Sequence, residues 1–109
     1  MKCLVTGGAG FIGSNLVDKL VAKKNKVIVF DDLSTGSASN LKKVRKKITF
    51  IKHDISKGVD KFERYFRNAD WIFHLAGKVD IVPSITNPIQ YFNSNVQGTL
   101  NILEIARKK

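Results

Sequence analysis

Four glycines fall within the seven residues 7–13, in the run Thr6-Gly7-Gly8-Ala9-Gly10-Phe11-Ile12-Gly13. They follow a short apolar segment, 2–6, and open a stretch of helical period, 11–24. A strand that turns through glycines straight into a helix is a strong restriction on what can follow. Gly7 permits the tight turn, and Gly10 removes a side chain where a phosphate group has to approach the backbone. Gly13 lets the helix pack close to the strand. The helix N-terminus, with Phe11 and Ile12 in its first turn, offers N–H groups and positive dipole to an anion. The spacing Gly-x-Gly-x-x-Gly is also met by Gly8, Gly10 and Gly13. Such a pattern is weak alone and specific when a strand precedes it and a helix follows.

The rest of the chain repeats that alternation. Segment 11–24 carries Ile12, Leu16, Val17, Leu20 and Val21 on one helical face, and Asn25 is placed as its stop. Val27-Ile28-Val29-Phe30 reads as a second buried strand, and 48–52 is a third strand candidate. Between them lie a Ser/Gly-rich connection, 34–40, and a basic run of undecided type. Val59, Phe62 and Phe66 predict a helix, supported by Asp60/Arg64 and Glu63/Arg67 as i,i+4 pairs. Segment 71–75 reads as a fourth buried strand with Trp71 in the core, and 76–86 as a loop or short turn. Asn87-Pro88 starts a last helix whose inward stripe is Ile89, Phe92, Val96, Leu100 and Leu103. The expectation is an α/β, Rossmann-like, doubly wound parallel sheet, incomplete at about four strands in order 3-2-1-4.

The acidic residue that a dinucleotide site requires is Asp31, at the end of the second strand and 18 positions after Gly13. A carboxylate there accepts from ribose hydroxyls and repels a 2′-phosphate, so the expected cofactor is NAD rather than NADP. Asp32 beside it reads as a solvated loop residue.

With these residues in place the chain resembles the extended short-chain dehydrogenase/reductases, the NAD-dependent sugar-nucleotide epimerases and dehydratases, and within them the UDP-glucose 4-epimerase group. The resemblance runs through 7–13, then Asp31-Asp32-Leu33-Ser34-Thr35-Gly36, His53-Asp54-Ile55, His74-Leu75-Ala76-Gly77, Ile81-Val82-Pro83-Ser84 and Asn95-Val96-Gln97-Gly98-Thr99. It implies that Ser34, Thr35 and Gly36 lie by the adenosine and that Asp54 and Ile55 meet the adenine. It further implies that Leu75, Ala76, Gly77 and Asn95 lie along the cofactor, and that Ile81 and Ser84 are close to the sugar substrate. Taken by themselves, Asp54 can cap a strand end, Asn95 can tie down a loop and Ser84 can be a turn residue. His74 reads as a satisfied core histidine. Where the family's epimerases often carry a lysine two positions after the glycine, this chain has Val79.

The family's chemistry uses a tyrosine with a lysine four residues later, and neither tyrosine here qualifies: Tyr65 is followed by Ala69 and Tyr91 by Asn95. The 109 residues are therefore expected to be the N-terminal part of an NAD(P)-binding Rossmann domain, with catalytic and substrate-binding parts beyond it. No catalytic or metal-ligating residue is assigned, and the chain alone is expected to be inactive and prone to associate. The complete enzyme is expected to act on a nucleotide sugar, as a homodimer. A rival reading is a non-catalytic NAD-binding module. A second is a nucleic-acid binder, suggested by nineteen Lys+Arg against nine Asp+Glu and by Lys42-Lys43-Val44-Arg45-Lys46-Lys47. No interleaved aromatic residues accompany that run, so a solvated basic face is preferred. One cysteine, Cys3, excludes an internal disulfide framework. Without a run of membrane-spanning length, a cytoplasmic domain is expected.

Overall fold

The computed structural model describes residues 1–108. Strands β1 (Lys2–Thr6), β2 (Lys26–Asp31), β3 (Ile48–Lys52) and β4 (Trp71–His74) form one parallel sheet in the order β3-β2-β1-β4. The registers set Thr6 beside Phe30 and His74, and Asp31 beside Lys52, so the carboxyl ends of the strands line up along one edge. The central strands are apolar along Cys3-Leu4-Val5 and Val27-Ile28-Val29-Phe30 because side chains alternate between faces and both faces are covered. On one face Leu4, Ile28 and Phe30 meet Phe62, Phe66, Ile102 and Ile105. On the other, Val5, Val27 and Val29 meet Val17, Leu41 and Val44. Phe30 sits among Phe62, Tyr65 and Phe66, with ring centroids 5.6 to 5.8 Å away. Cys3 is buried, and burial pushes its thiol pKa up.

Helix α1 (Phe11–Ala22) covers the second face through Val17, Leu16 and Leu20. Its end uses Asn25, whose backbone N–H and side-chain amide both donate to Leu20 O, while Lys24 takes the left-handed turn at φ 61°. Ile12, expected inward, is 71% exposed. It lies in the first turn, which rests on the glycine loop rather than on the strands.

Three further expectations are corrected. Helix α2 (Val59–Phe62) tightens into a 3₁₀ turn over Glu63–Phe66. With three residues per turn, i and i+4 no longer share a face, and neither Asp60/Arg64 nor Glu63/Arg67 forms. Among the described residues the one ion pair is Glu104–Arg107. Trp71 is 55% exposed, stacked on Phe73, because β4 ends the sheet. The last segment is not one helix: α3 (Ile81–Thr86) occupies part of the expected loop, α4 (Pro88–Tyr91) follows, and a π turn (Phe92–Gln97) leads into α5 (Gly98–Lys108). The stripe from Ile89 to Leu103 faces outward, each member at least half exposed. The helix packs instead through Gly98, Ile102 and Ile105, on nearly the opposite side. Periodicity located an amphipathic helix here but could not say which of its two apolar stripes meets this sheet.

No described helix is long and apolar enough to cross a membrane. Truncating Phe66 to alanine is expected to cost about 3–5 kcal/mol in urea unfolding, whereas Phe92→Ala should stay within about 0.5 kcal/mol. A comparable loss at both positions would contradict this assignment of the core.

Candidate functional site

The glycine loop connects Thr6 to α1 and is held from both sides. Gly7 N–H donates to Phe30 O (2.8 Å), and Gly10 N–H donates back to Gly7 O (3.2 Å). Ala9 N–H donates to Asp31 Oδ2 (2.9 Å), and Ala9 O accepts from Ser37 N–H and from the Asn40 amide. The three glycines of the motif have different reasons. Gly7 has φ +70°, and a Cβ there would lie 2.7 Å from the Ala76 nitrogen. At Gly13 a Cβ would be 2.1 Å from Gly7 O, so this glycine is demanded by the fold. At Gly10 the only neighbour is Gly7 O at 3.4 Å. The protein itself tolerates a side chain there, and that side chain would occupy the adjoining cleft.

That cleft lies across the carboxyl ends of the strands. The loop contributes Gly7 and Gly10, and the end of β2 contributes Asp31, Asp32, Ser34, Thr35 and Gly36. The end of β3 gives His53, Asp54 and Ile55, and that of β4 gives Leu75, Ala76, Gly77 and Lys78. Most of the site residues expected from sequence are thus brought together. Phe11 and Ile12 stand exposed at the start of α1. Gly13 lies behind the loop. Ile81 and Ser84 lie on α3 outside the cleft, Ile81 exposed and the Ser84 hydroxyl donating to Ile81 O; their neighbours Asp80 and Pro83 line an adjacent cavity with Thr35 and Lys78. Asn95 reaches the cleft through its neighbour: its Oδ1 accepts from Lys78 N–H (2.7 Å) and its Nδ2 donates to Lys78 O (2.9 Å).

The acidic residues are fixed in matching ways. Asp31, almost fully buried, accepts one backbone N–H on each oxygen, from Ala9 and Leu33. Asp32 Oδ1 accepts from the N–H and hydroxyl of Ser34, and Asp54 Oδ1 from those of Ser56. Burial works to raise the Asp54 pKa, but the Ser56 hydrogen bonds and the Lys57 and His53 charges hold it below the ordinary carboxylate value. Among the described residues no cluster of His, Cys, Asp and Glu could hold a metal ion.

His74 is a structural node. Thr6 Oγ1 accepts N–H bonds from both Leu75 and Ala76, which occupies its lone pairs and turns its own proton toward His74 Nδ1 (2.7 Å). His74 Nε2–H then donates to Thr99 Oγ1 (2.8 Å), which donates to Asn95 O (2.6 Å). Every group is satisfied with a neutral imidazole, and burial lowers the His74 pKa. Spacing could not have revealed this chain, since residues 6, 74 and 99 are remote in sequence.

The family described as GDP-mannose 4,6 dehydratase matches residues 4–109. The chain belongs to that family. UDP-glucuronic acid decarboxylase 6 of Arabidopsis thaliana is 45% identical over 111 residues, covering 99% of this chain and 31% of that protein. The UDP-glucose 4-epimerase of Thermotoga maritima, solved with UDP-glucose, superposes with a TM-score of 0.91 at 38% identity, covering 99% of this chain and 34% of that one. The Thermus thermophilus UDP-glucose 4-epimerase complex with NAD gives 0.87 at 38% identity, covering 99% and 34%. The chain therefore spans about a third of the length of each of these proteins.

Two outcomes test this geometry. Gly13→Ala should destabilise the chain by about 1–3 kcal/mol, with Gly10→Ala near neutral; equal effects would deny the two glycines separate roles. With its folded pKa lowered, neutral His74 contributes stability that is present above the unfolded value of about 6.5 and lost as pH falls through the folded pKa. Unfolding midpoints should therefore drop as pH falls below about 6.5, more steeply for the wild type than for His74→Gln. Parallel profiles would remove His74 as the cause.

Proposed function

We propose that this chain is the NAD-binding portion of a sugar-nucleotide enzyme of the epimerase and dehydratase kind, and that the complete protein is a UDP-glucose 4-epimerase. The observation that carries the reading is the meeting of Gly10, Asp31 and Asp54 in one cleft at the carboxyl ends of three parallel strands. The fit to a dinucleotide is specific. The open side of Gly10 leaves room for a pyrophosphate against the loop backbone. Asp31 spends one acceptor site of each oxygen on the fold and retains a second on each for ribose hydroxyls. Asp54 keeps Oδ2 for the adenine edge, and Ile55 supplies an apolar wall. Ser34, Thr35 and Gly36 flank the adenosine, while Leu75, Ala76 and Gly77 pass the rest of the cofactor.

NAD, when bound, supplies a two-electron acceptor for hydride removed from C4 of a UDP-hexose and returned to its other face. The residues present here bind and orient, and none is placed to take the sugar proton; Tyr65 and Tyr91 both lack a lysine four residues on. In the complete protein a nucleotide sugar is the substrate, close to Ile81 and Ser84, and the assembly is a homodimer. By itself the chain is inactive and associates through its exposed apolar stripe.

Calorimetric titration with NAD and NADP tests the assignment. The wild type should favour NAD by about ten-fold or more, one charge-assisted contact's worth. Asp31→Asn, which keeps an acceptor for Ala9 N–H, should lose most of that preference. Gly10→Val should abolish NAD binding with its urea midpoint little changed. A wild type that binds neither dinucleotide would overturn the reading.

A further inference from the structure

Asn101 lies on α5, outside the cleft, yet it holds part of the cleft's wall. Its side-chain amide donates to Ile55 O at 2.9 Å, across 46 positions of sequence. Gln97 fixes which way that amide points, because its own amide donates to Asn101 Oδ1 at 2.8 Å. About one turn before Asn101, a Cβ on Gly98 would stand 3.2 Å from Ile55 Cγ1 and Cδ1, so the helix also lies close against the Ile55 side chain. Asp54 and Ile55 line the cleft, and Asn101 and Gln97 do not.

The carbonyl of Ile55 and the N–H of Ser56 belong to one rigid peptide plane. Asn101 holds the carbonyl end of that plane. The N–H end donates to Asp54 Oδ1 at 2.9 Å, and the Ser56 hydroxyl donates to the same oxygen at 2.7 Å. A donor on the carbonyl polarises the peptide and strengthens the bond that its N–H makes. A relay therefore runs from Gln97 through Asn101 and the 55–56 peptide to Asp54. With both lone pairs of Oδ1 occupied, Oδ2 is left to the cleft.

We infer that Asn101 is a positioning residue for base recognition: by fixing the 55–56 peptide it aims the Asp54 carboxylate at the amino group of an adenine. The inference rests on the NAD reading above and adds to it a residue that touches no ligand. Adenine offers an N6 amino donor where hypoxanthine offers a carbonyl oxygen. A carboxylate held in place favours the first and repels the second. Without Asn101 the peptide is free to turn, Oδ1 loses its N–H, and the carboxylate is no longer aimed. The Ile55 carbonyl would also be left unpaired beside a buried side chain, which by itself affects stability and not the choice of base. The two consequences are separable.

The test combines calorimetry with a carboxyl NMR titration of this chain. The wild type should bind NAD about ten-fold more tightly than nicotinamide hypoxanthine dinucleotide, and in Asn101→Leu that preference should fall to about two-fold or less. The Asp54 carboxyl of Asn101→Leu should titrate at higher pH than in the wild type, since a donor that lowers its pKa is weakened. Lys57 and His53 act on the same carboxylate and are common to both proteins. Ile105→Val, a core change on the same helix, should lower the urea midpoint with base preference and Asp54 titration unmoved. Should Asn101→Leu not fold, Gln97→Ala should move both readouts the same way by a smaller amount. NAD binding with an unchanged base preference in these relay variants would overturn the inference and leave the NAD reading standing. An Ile105→Val that shifts base preference as far as Asn101→Leu would reduce Asn101 to a structural role and overturn it as well. A wild type that binds neither dinucleotide would remove both.

Discussion

The bond from Ala9 N–H to the buried Asp31 carboxylate is the constraint on which the site depends. It ties the glycine loop leaving β1 to the last residue of β2, and the Ala9 carbonyl then anchors the connection that follows β2 through Ser37 and Asn40. A carboxylate this deeply placed is tolerable because each oxygen receives a backbone donor. One side chain therefore shapes the loop and faces the cleft. Position 31 is coupled to the fold as well as to any ligand, and its substitutions have to be judged on both.

Much of this was legible in the sequence because the decisive signals are local. A continuous apolar run means a strand covered on both faces, and the glycine at 13 is required by contacts with Gly7 and Gly8 in the same loop. The helix on each face and the gathering of Asp31, Asp54 and Gly77 at one edge follow from the alternation of elements, and the strand order from the glycine loop's place in a dinucleotide-type sheet. What was not legible depends on partners far along the chain. The stripe from Ile89 to Leu103 has good helical period, yet Ile102 and Ile105 are the residues that meet Phe30's face of the sheet. The charge pairs expected around Arg64 presume a regular helix, which the 3₁₀ turn replaces. Neither the Thr6–His74–Thr99 chain nor the span from Lys78 to Ser34 leaves a mark on residue spacing.

Net charge misdirects in the same way. The chain carries +10, but its cleft is lined by aspartates, and the basic run lies elsewhere. Lys42 and Lys43 are exposed in a turn, and Arg45, Lys46 and Lys47 on the short 3₁₀ segment that follows it ahead of β3. The Phe50 ring is covered by the Arg45 guanidinium at 5.4 Å and is not offered as a stacking platform. Total charge governs solubility and long-range attraction; affinity for a small anion is decided by the few groups within reach of it.

The π turn between α4 and α5 accommodates one more residue than an α-helical turn would. Within it, Asn95 must look toward the loop after β4; downstream, Ile102 and Ile105 must look into the core. In a regular helix adjacent positions are separated by about 100°, so deleting Val96 or Gln97 would rotate Asn95 relative to Ile102 and Ile105 and turn one of them away from its target. The extra residue thus makes this helix intolerant of length change in its middle, unlike a surface loop. Within this segment, insertions and deletions are a harsher perturbation than most substitutions.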